Sequence, residues 1–139
     1  MTTNELVARE IMSTPVAAVT DEATVWEAWN VLIRDHIRHV VVVNGRHCIG
    51  VVTESDLVAA WNRGPAVLST MPIRTLLLNR TACVLPDAPV RHVAAVMDAE
   101  RVDAVPVVDE QGTVLGLITA TDVIHAVASD GIIRGHHGE

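Results

Sequence analysis

Apolar residues fall at helical spacing in two separate stretches of the chain. Val25, Ala28, Trp29 and Leu32 stand at i, i+3, i+4 and i+7, one face of a helix, with Trp26 off that stripe. Val90, Val93, Ala94 and Met97 repeat the spacing. Acids precede both stripes, Asp21-Glu22 and Asp87, where a helix dipole favours negative charge. After each helix the pattern changes to β-branched runs. Val40–Val43 and Ile49–Thr53 predict two strands joined by an Asn-Gly turn, and Val105–Val108 and Val114–Thr119 predict a second hairpin. Short apolar strands are expected ahead of the helices, at Val16–Val19 and Ala82–Leu85, and closing helices over Ser55–Asn62 and Thr121–Ala128. The predicted order is strand, helix, strand, strand, helix, written twice.

The two copies align residue by residue. Val19–Val25 matches Val84–Val90 and Val40–Asn44 matches Val105–Asp109, both at an offset of 65; Gly50–Asp56 matches Gly116–Asp122 at 66. The extra residue falls in the hairpin turn, where insertions are tolerated. This gives a first repeat over residues 7–62, a linker over 63–71, a second repeat over 72–128 and a tail over 129–139. The linker opens on the break signal Arg63-Gly64-Pro65. Residues 66–78 are expected to hold a short helix, and residues 1–4 and 134–139 to fray. Half of the 139 residues are hydrophobic, yet neither repeat is large enough to bury a core alone. The two are therefore expected to pack face to face, as an α+β tandem-repeat fold.

Composition narrows the function. A net charge of -7 argues against binding a nucleic-acid duplex, which needs a basic face. All ten basic residues are Arg, so no lysine is present to form a Schiff base. Phe and Tyr are absent, leaving Trp26, Trp29 and Trp61 for aromatic stacking. Cys48 and Cys83 fit no metal spacing and are too few for a disulfide scaffold. Both align with apolar strand positions, which predicts buried, inert thiols. His36 and His39 should straddle a helix end and a strand start, with no third ligand placed beside them, so no metal is expected. His136-His137 is expected to be solvated tail. No leader and no apolar run of about 18 residues is seen, which predicts a cytoplasmic protein without a membrane.

The repeated pattern resembles the cystathionine-β-synthase (CBS) domain pair, or Bateman module. The resemblance rests on Glu10-Ile-Met-Ser-Thr-Pro-Val16, Ile37-Arg-His-Val-Val-Val-Val43, Val105-Pro-Val-Val-Asp109 and two Gly-x-x-Thr-x-x-Asp segments, Gly50–Asp56 and Gly116–Asp122. It covers about residues 7–128. Two departures stand out: Val41 replaces a proline in the first repeat, and Asp103-Ala104 replaces a basic pair in the second.

Taken alone, Thr53-x-x-Asp56 and Thr119-x-x-Asp122 leave two readings open. Each resembles a capping box at a helix start, which requires no ligand; a helix start also suits an anion. The resemblance implies the second use. It implies two βαββα units related by an approximate two-fold axis, with two clefts between them. Asp56 and Asp122 would take ribose hydroxyls, and Thr53, Ser55, Thr119 and Thr121 hydroxyl or phosphate groups. Arg38-His39 would take phosphate, and Thr14-Pro15-Val16 and Thr81-Ala82 would line the adenine. The implied ligands are AMP, ADP, ATP, S-adenosylmethionine or NAD, none an obligatory cofactor. A homodimer is implied too, with Trp26 and Trp61 as apolar anchors, and so is a regulated protein of unknown identity. No catalytic constellation is present: no nucleophile elbow, P-loop or His-Glu-x-x-His. The expected function is regulatory ligand sensing without catalysis; the alternative is a protein-interaction or scaffold module with vestigial ligand clefts.

Overall fold

The computed structural model describes residues 5–77 and 82–129. The chain divides into two compact units: residues 16–81, and residues 1–15 together with 82–139. Both repeats carry the mixed helix and strand content that the pattern predicts.

The first-repeat unit is built on a three-stranded sheet. Strand β1 (Ala18–Thr20) lies parallel to β2 (His39–Asn44), which pairs antiparallel with β3 (His47–Thr53). Asn44 pairs with His47, so the turn is Gly45-Arg46 and Asn44 belongs to the strand. Gly45 takes φ 63° there, a conformation glycine adopts without penalty. Helix α2 (Val25–Asp35) starts in a capping box: Thr24 Oγ1 accepts the Glu27 amide at 3.1 Å, and Glu27 accepts the Thr24 amide at 2.8 Å. It ends at His36, left-handed at φ 55°. Helix α3 (Glu54–Trp61) follows β3 without a loop. Val25, Ala28 and Leu32 of α2 meet Val40, Val42 and Val52 of the sheet and Leu57 and Ala60 of α3 in the core. Residues of the expected linker and of the start of the expected second repeat join this core. Helix α4 (Pro65–Leu68) and a 3-10 turn (Ile73–Leu76) bring Leu68 and Ile73 into it, and the Val25 amide donates to the Met71 carbonyl at 2.8 Å. Burying a side chain such as Ile73 is worth about 1.5–3 kcal/mol, which explains why these residues pack and do not span open solvent.

The second-repeat unit contains α5 (Val90–Glu100), an antiparallel hairpin of β4 (Ala104–Val108) and β5 (Val114–Thr119), and α6 (Ala120–Ser129). Both hairpins bulge at the same place, between Val42 and Val43 and between Val107 and Val108. The helix before each hairpin ends on an equivalent left-handed residue, His36 or Arg101.

The expected strand Ala82–Leu85 is not formed; Val84 makes a single parallel bridge to Val107. Proline explains the difference. In the first repeat the Val41 amide donates to the Ala17 carbonyl at 2.9 Å. Its counterpart is Pro106, which has no amide hydrogen, so that rung cannot form. Cys83 lies exposed and not buried, as does its counterpart Ala18 in the formed strand β1, and Cys48 is half-buried.

A further element, helix α1 (Ala8–Ile11), has no counterpart in the predicted pattern. Its segment belongs to the second-repeat unit. The Ala8 amide donates to Ala88, Arg9 to Pro86 and Val90 to Leu6, all at 2.8–2.9 Å, and Ser13 and Leu117 exchange two bonds. Ala8 is fully buried, Ile11 and Met12 pack on the same core, and Glu5 pairs with Arg91 at 2.8 Å. A side chain at Gly116 would run into Met12, so that glycine leaves space for the segment. Among the described residues no helix is long and apolar enough to cross a membrane.

Candidate ligand-binding site

The hairpins and closing helices meet at one point in each repeat. His39 opens β2 opposite Thr53, the last residue of β3 and the cap of α3. Thr53 Oγ1 accepts the Asp56 amide at 3.1 Å, and Asp56 Oδ2 accepts the Thr53 amide at 2.9 Å. The Glu54 amide donates to the Arg38 carbonyl at 2.8 Å. One short stretch thus gathers Arg38, His39, Thr53, Ser55 and Asp56.

The second repeat reproduces the construction. Ala104 pairs with Thr119, and the Ala120 amide donates to the Asp103 carbonyl at 2.8 Å. The Thr119 amide donates to Asp122 Oδ2 at 2.8 Å, the Thr119 hydroxyl lies 3.1 Å from the same oxygen, and the Asp122 amide donates to Thr119 Oγ1 at 3.3 Å. Both capping boxes are therefore formed. Each uses one carboxylate oxygen; Oδ1 of Asp56 and of Asp122 has no hydrogen-bond partner among the described residues. The first-turn amides of Ser55 and Thr121 are also left over by the two devices. Each helix start can thus present a hydroxyl, an amide and an acceptor oxygen to one polar molecule.

The two copies differ in charge. Arg38 is 83% exposed and only 3.9 Å from Glu54 at its closest, a weak pair. The corresponding residue of the second repeat is Asp103, also exposed. Arg34 is committed elsewhere: it bonds Asp35 through two nitrogens at 2.9 and 3.3 Å, which raises its own pKa and holds the Asp35 carboxyl below its usual value. Arg46 and His47, part of the same basic stretch in sequence, sit at the far end of the hairpin, about 20 Å away along a strand.

The other expected residues are placed as follows. Thr14 and Pro15 are exposed, joined by a cis peptide bond, and belong to the second-repeat unit; Val16 is half-buried at the start of the first-repeat unit. Ala82 is half-buried, and Thr81 lies outside the described residues, as does His136-His137. No group of three or more His, Cys, Asp or Glu is disposed to hold a metal among the described residues. Sequence reasoning missed a groove of about 370 Å³ in the first-repeat unit, lined by Trp29, Leu32, Ile33, His36, Ile37, Arg38 and Glu54. Its only sequence signal was that Arg38 and Glu54 flank the two paired strand ends.

The model of the CBS domain matches residues 8–63 and again residues 73–129. The chain belongs to the CBS domain family. Its fold is similar to a CBS domain pair solved in complex with 5'-methylthioadenosine and S-adenosyl-L-methionine, at 25% identity and TM-score 0.78, over 89% of this chain and 97% of that one. It is also similar to a CBS domain protein from Pyrobaculum aerophilum complexed with AMP, at 21% identity and TM-score 0.77, over 89% of this chain and 99% of that one. Among curated proteins, L-aspartate semialdehyde sulfurtransferase of Methanocaldococcus jannaschii is 27% identical over 116 residues, 83% of this chain and 22% of that protein. The chain spans about a fifth to a quarter of the first curated relatives it matches.

In this CBS pair the capping role of the two aspartates has a measurable size. Asp56→Ala and Asp122→Ala are each expected to cost about 0.5–2 kcal/mol. Asp122→Ala should cost more, because its oxygen holds both groups of a half-buried threonine. Urea denaturation of both variants checks the order; equal losses near zero would mean that neither box stabilises its helix.

Proposed function

We propose that this CBS pair is a regulatory module that binds an adenosyl ligand at its two capped helix starts and performs no chemistry on it. The observation that carries the reading is the duplicated Thr-x-x-Asp helix start, with Oδ1 of each aspartate unused among the described residues. A carboxylate acceptor suits a ribose diol, and the adjacent hydroxyls and amides suit hydroxyl or phosphate oxygens. The adenosyl ligands bound by two similarly folded proteins support the same class. Thr14, Pro15, Val16 and Ala82, with Thr81, are the residues proposed to line the base. AMP, ADP, ATP, S-adenosylmethionine and NAD are the candidates. The module would act as a homodimer and report occupancy to a regulated protein by favouring one conformation.

A thermal-shift screen over those five compounds tests the proposal. A ligand that binds only the folded protein, supplied at 100 times its Kd, adds about 2.7 kcal/mol of stability, a rise of several degrees in Tm. No shift with any adenosyl compound would favour the second reading, an interaction module with vestigial clefts. That reading has its own support in the exposed tryptophans, Trp26 and Trp61.

A further inference from the structure

Met12 follows helix α1, and its backbone is fixed on both sides. Its amide donates to the Ala8 carbonyl at 3.0 Å. The next residue, Ser13, gives its amide to the Leu117 carbonyl at 2.9 Å and accepts the Leu117 amide at 3.2 Å. The side chain fills the space beside Gly116, where an added β-carbon would collide first with the Met12 sulfur. It packs on the second-repeat core that includes Ala8, Val93, Val105 and Ile118. None of those side chains can donate a hydrogen bond, and the amides of Met12, Ser13 and Leu117 are already engaged. Met12 is nonetheless only half-buried, whereas Met97, in the same core, is 8% exposed. The sulfur is therefore within reach of solvent, while its seat suits a thioether and not a polar group.

The first repeat places leucine at the equivalent position. Leu77 aligns with Met12 at the offset of 65 and Gly50 with Gly116 at 66, and Leu77 packs on the first-repeat core. An aliphatic side chain therefore serves such a seat. What methionine adds is a sulfur that can be oxidised.

We propose that Met12 is a modification site for hydroperoxides, and that its oxidation releases residues 5–15 from the second repeat. The thioether sulfur attacks the distal peroxide oxygen. The O–O bond breaks and an S–O bond forms; sulfur is oxidised to the sulfoxide, and the peroxide is reduced to an alcohol, or to water from hydrogen peroxide, which keeps the peroxide's own proton. The sulfoxide oxygen is a strong acceptor placed against an apolar core. Leaving such a group unpaired favours the undocked segment by roughly tenfold or more. The contacts at stake are the burial of Ala8, the packing of Ile11 and the Glu5–Arg91 pair. Thr14 and Pro15 come next in the chain and are the residues proposed above to line the base, so oxidation also weakens adenosyl binding. That consequence rests on the proposed function; the modification does not. Sulfoxide reductases reverse the step, which makes it a switch.

Trypsin reads the release. The chain has arginine and no lysine, and Arg9, within α1, is open to cleavage only when its backbone leaves the second repeat. Folded protein is treated with dilute hydrogen peroxide, then with a thiol, which reverses cysteine sulfenic acid and disulfides but not methionine sulfoxide. Peptide masses should show the sulfoxide at Met12 before any at Met97. Cleavage after Arg9 should then rise about tenfold, as the open population does. It should not rise in treated Met12→Leu, a volume-conserving exchange, and should fall back after both sulfoxide reductases have acted. A folded Met12 that resists peroxide, an oxidised wild type cut after Arg9 no faster than before, or an equal rise in Met12→Leu each overturns the proposal. Calorimetry with adenosine on the same samples decides the consequence. Binding lost on oxidation in wild type alone supports it, and unchanged binding overturns it. No binding even before oxidation counts against the proposed function and leaves the tryptic result standing.

Discussion

Ala8→Asp is expected to destabilise the protein by about 3–5 kcal/mol, the range for an uncompensated charge placed in a protein interior. Ala8 is fully buried, in one cluster with Val84, Val93, Val105, Val107 and Ile118 of the second-repeat unit. A carboxylate there would displace that packing, and none of these neighbours offers it a hydrogen-bond donor side chain. The backbone around it is fixed by the bonds from Ala8 to Ala88 and from Arg9 to Pro86, so the segment cannot rotate the charge outward without giving them up. Folded domains hold only about 5–15 kcal/mol in total, and the variant should populate unfolded second repeat at ordinary temperature. Arg9→Asp, one residue on and exposed, should stay within about 0.5 kcal/mol. All three tryptophans lie in the first repeat, so their fluorescence reports that unit while far-ultraviolet dichroism reports both. Urea curves by the two probes will measure the loss and show whether the units unfold together. A cost below about 0.5 kcal/mol for Ala8→Asp would mean that residues 5–15 do not dock on the second repeat.

That segment also marks the limit of what the chain's pattern reveals. The two helices, the hairpins and the closing helices were legible because each has a period, and because the second copy confirms the first. Residues 5–15 have almost no period, and their counterpart at the offset of 65, the turn Ile73–Leu76 with Met71, shares few side chains with them. Both are held by backbone bonds, Ala8 to Ala88 and Val90 to Leu6 in one unit and Ile73 to Ala23 and Val25 to Met71 in the other, and such bonds leave no trace in side-chain pattern. The missing strand at Ala82–Leu85 was legible in principle. Pro106 was visible as the residue distinguishing the second repeat from Val41 in the first, and its consequence, a lost rung, follows from chemistry alone. Cys83 was misplaced for a different reason: it aligns with Ala18, which the formed strand β1 itself leaves exposed, so an apolar residue at that position does not imply burial. At the site, Thr53 and Asp56 could be read as a cap from sequence, but the gathering of Arg38 beside them depends on the register that sets His39 opposite Thr53. Arg46 and His47 show the converse: near in sequence to Arg38, they lie a full hairpin's length from it.

The same register predicts unequal sites. Arg38→Ala is expected to weaken AMP binding roughly tenfold to a hundredfold at the first-repeat site while leaving adenosine binding nearly unchanged. Beside Thr53, Ser55 and Asp56 stands an exposed guanidinium whose one ion-pair contact among the described residues is to Glu54 at 3.9 Å, so turning it toward a phosphate sacrifices little. A planar, permanently charged fork suits that group, and a hydrogen bond to a charged partner is worth about 1.5–3 kcal/mol, which sets the fold-change. Beside Thr119, Thr121 and Asp122 the equivalent position is Asp103, and an exposed carboxylate there repels phosphate. The second-repeat site should therefore prefer an uncharged or cationic adenosyl compound. Calorimetry of wild type and Arg38→Ala, with AMP and then with adenosine, reads this directly. One tight AMP site in wild type, weakened in Arg38→Ala while adenosine binds as before, is the expected result. Two equal AMP sites, or an Arg38→Ala protein that binds AMP normally, would show that phosphate recognition does not run through Arg38.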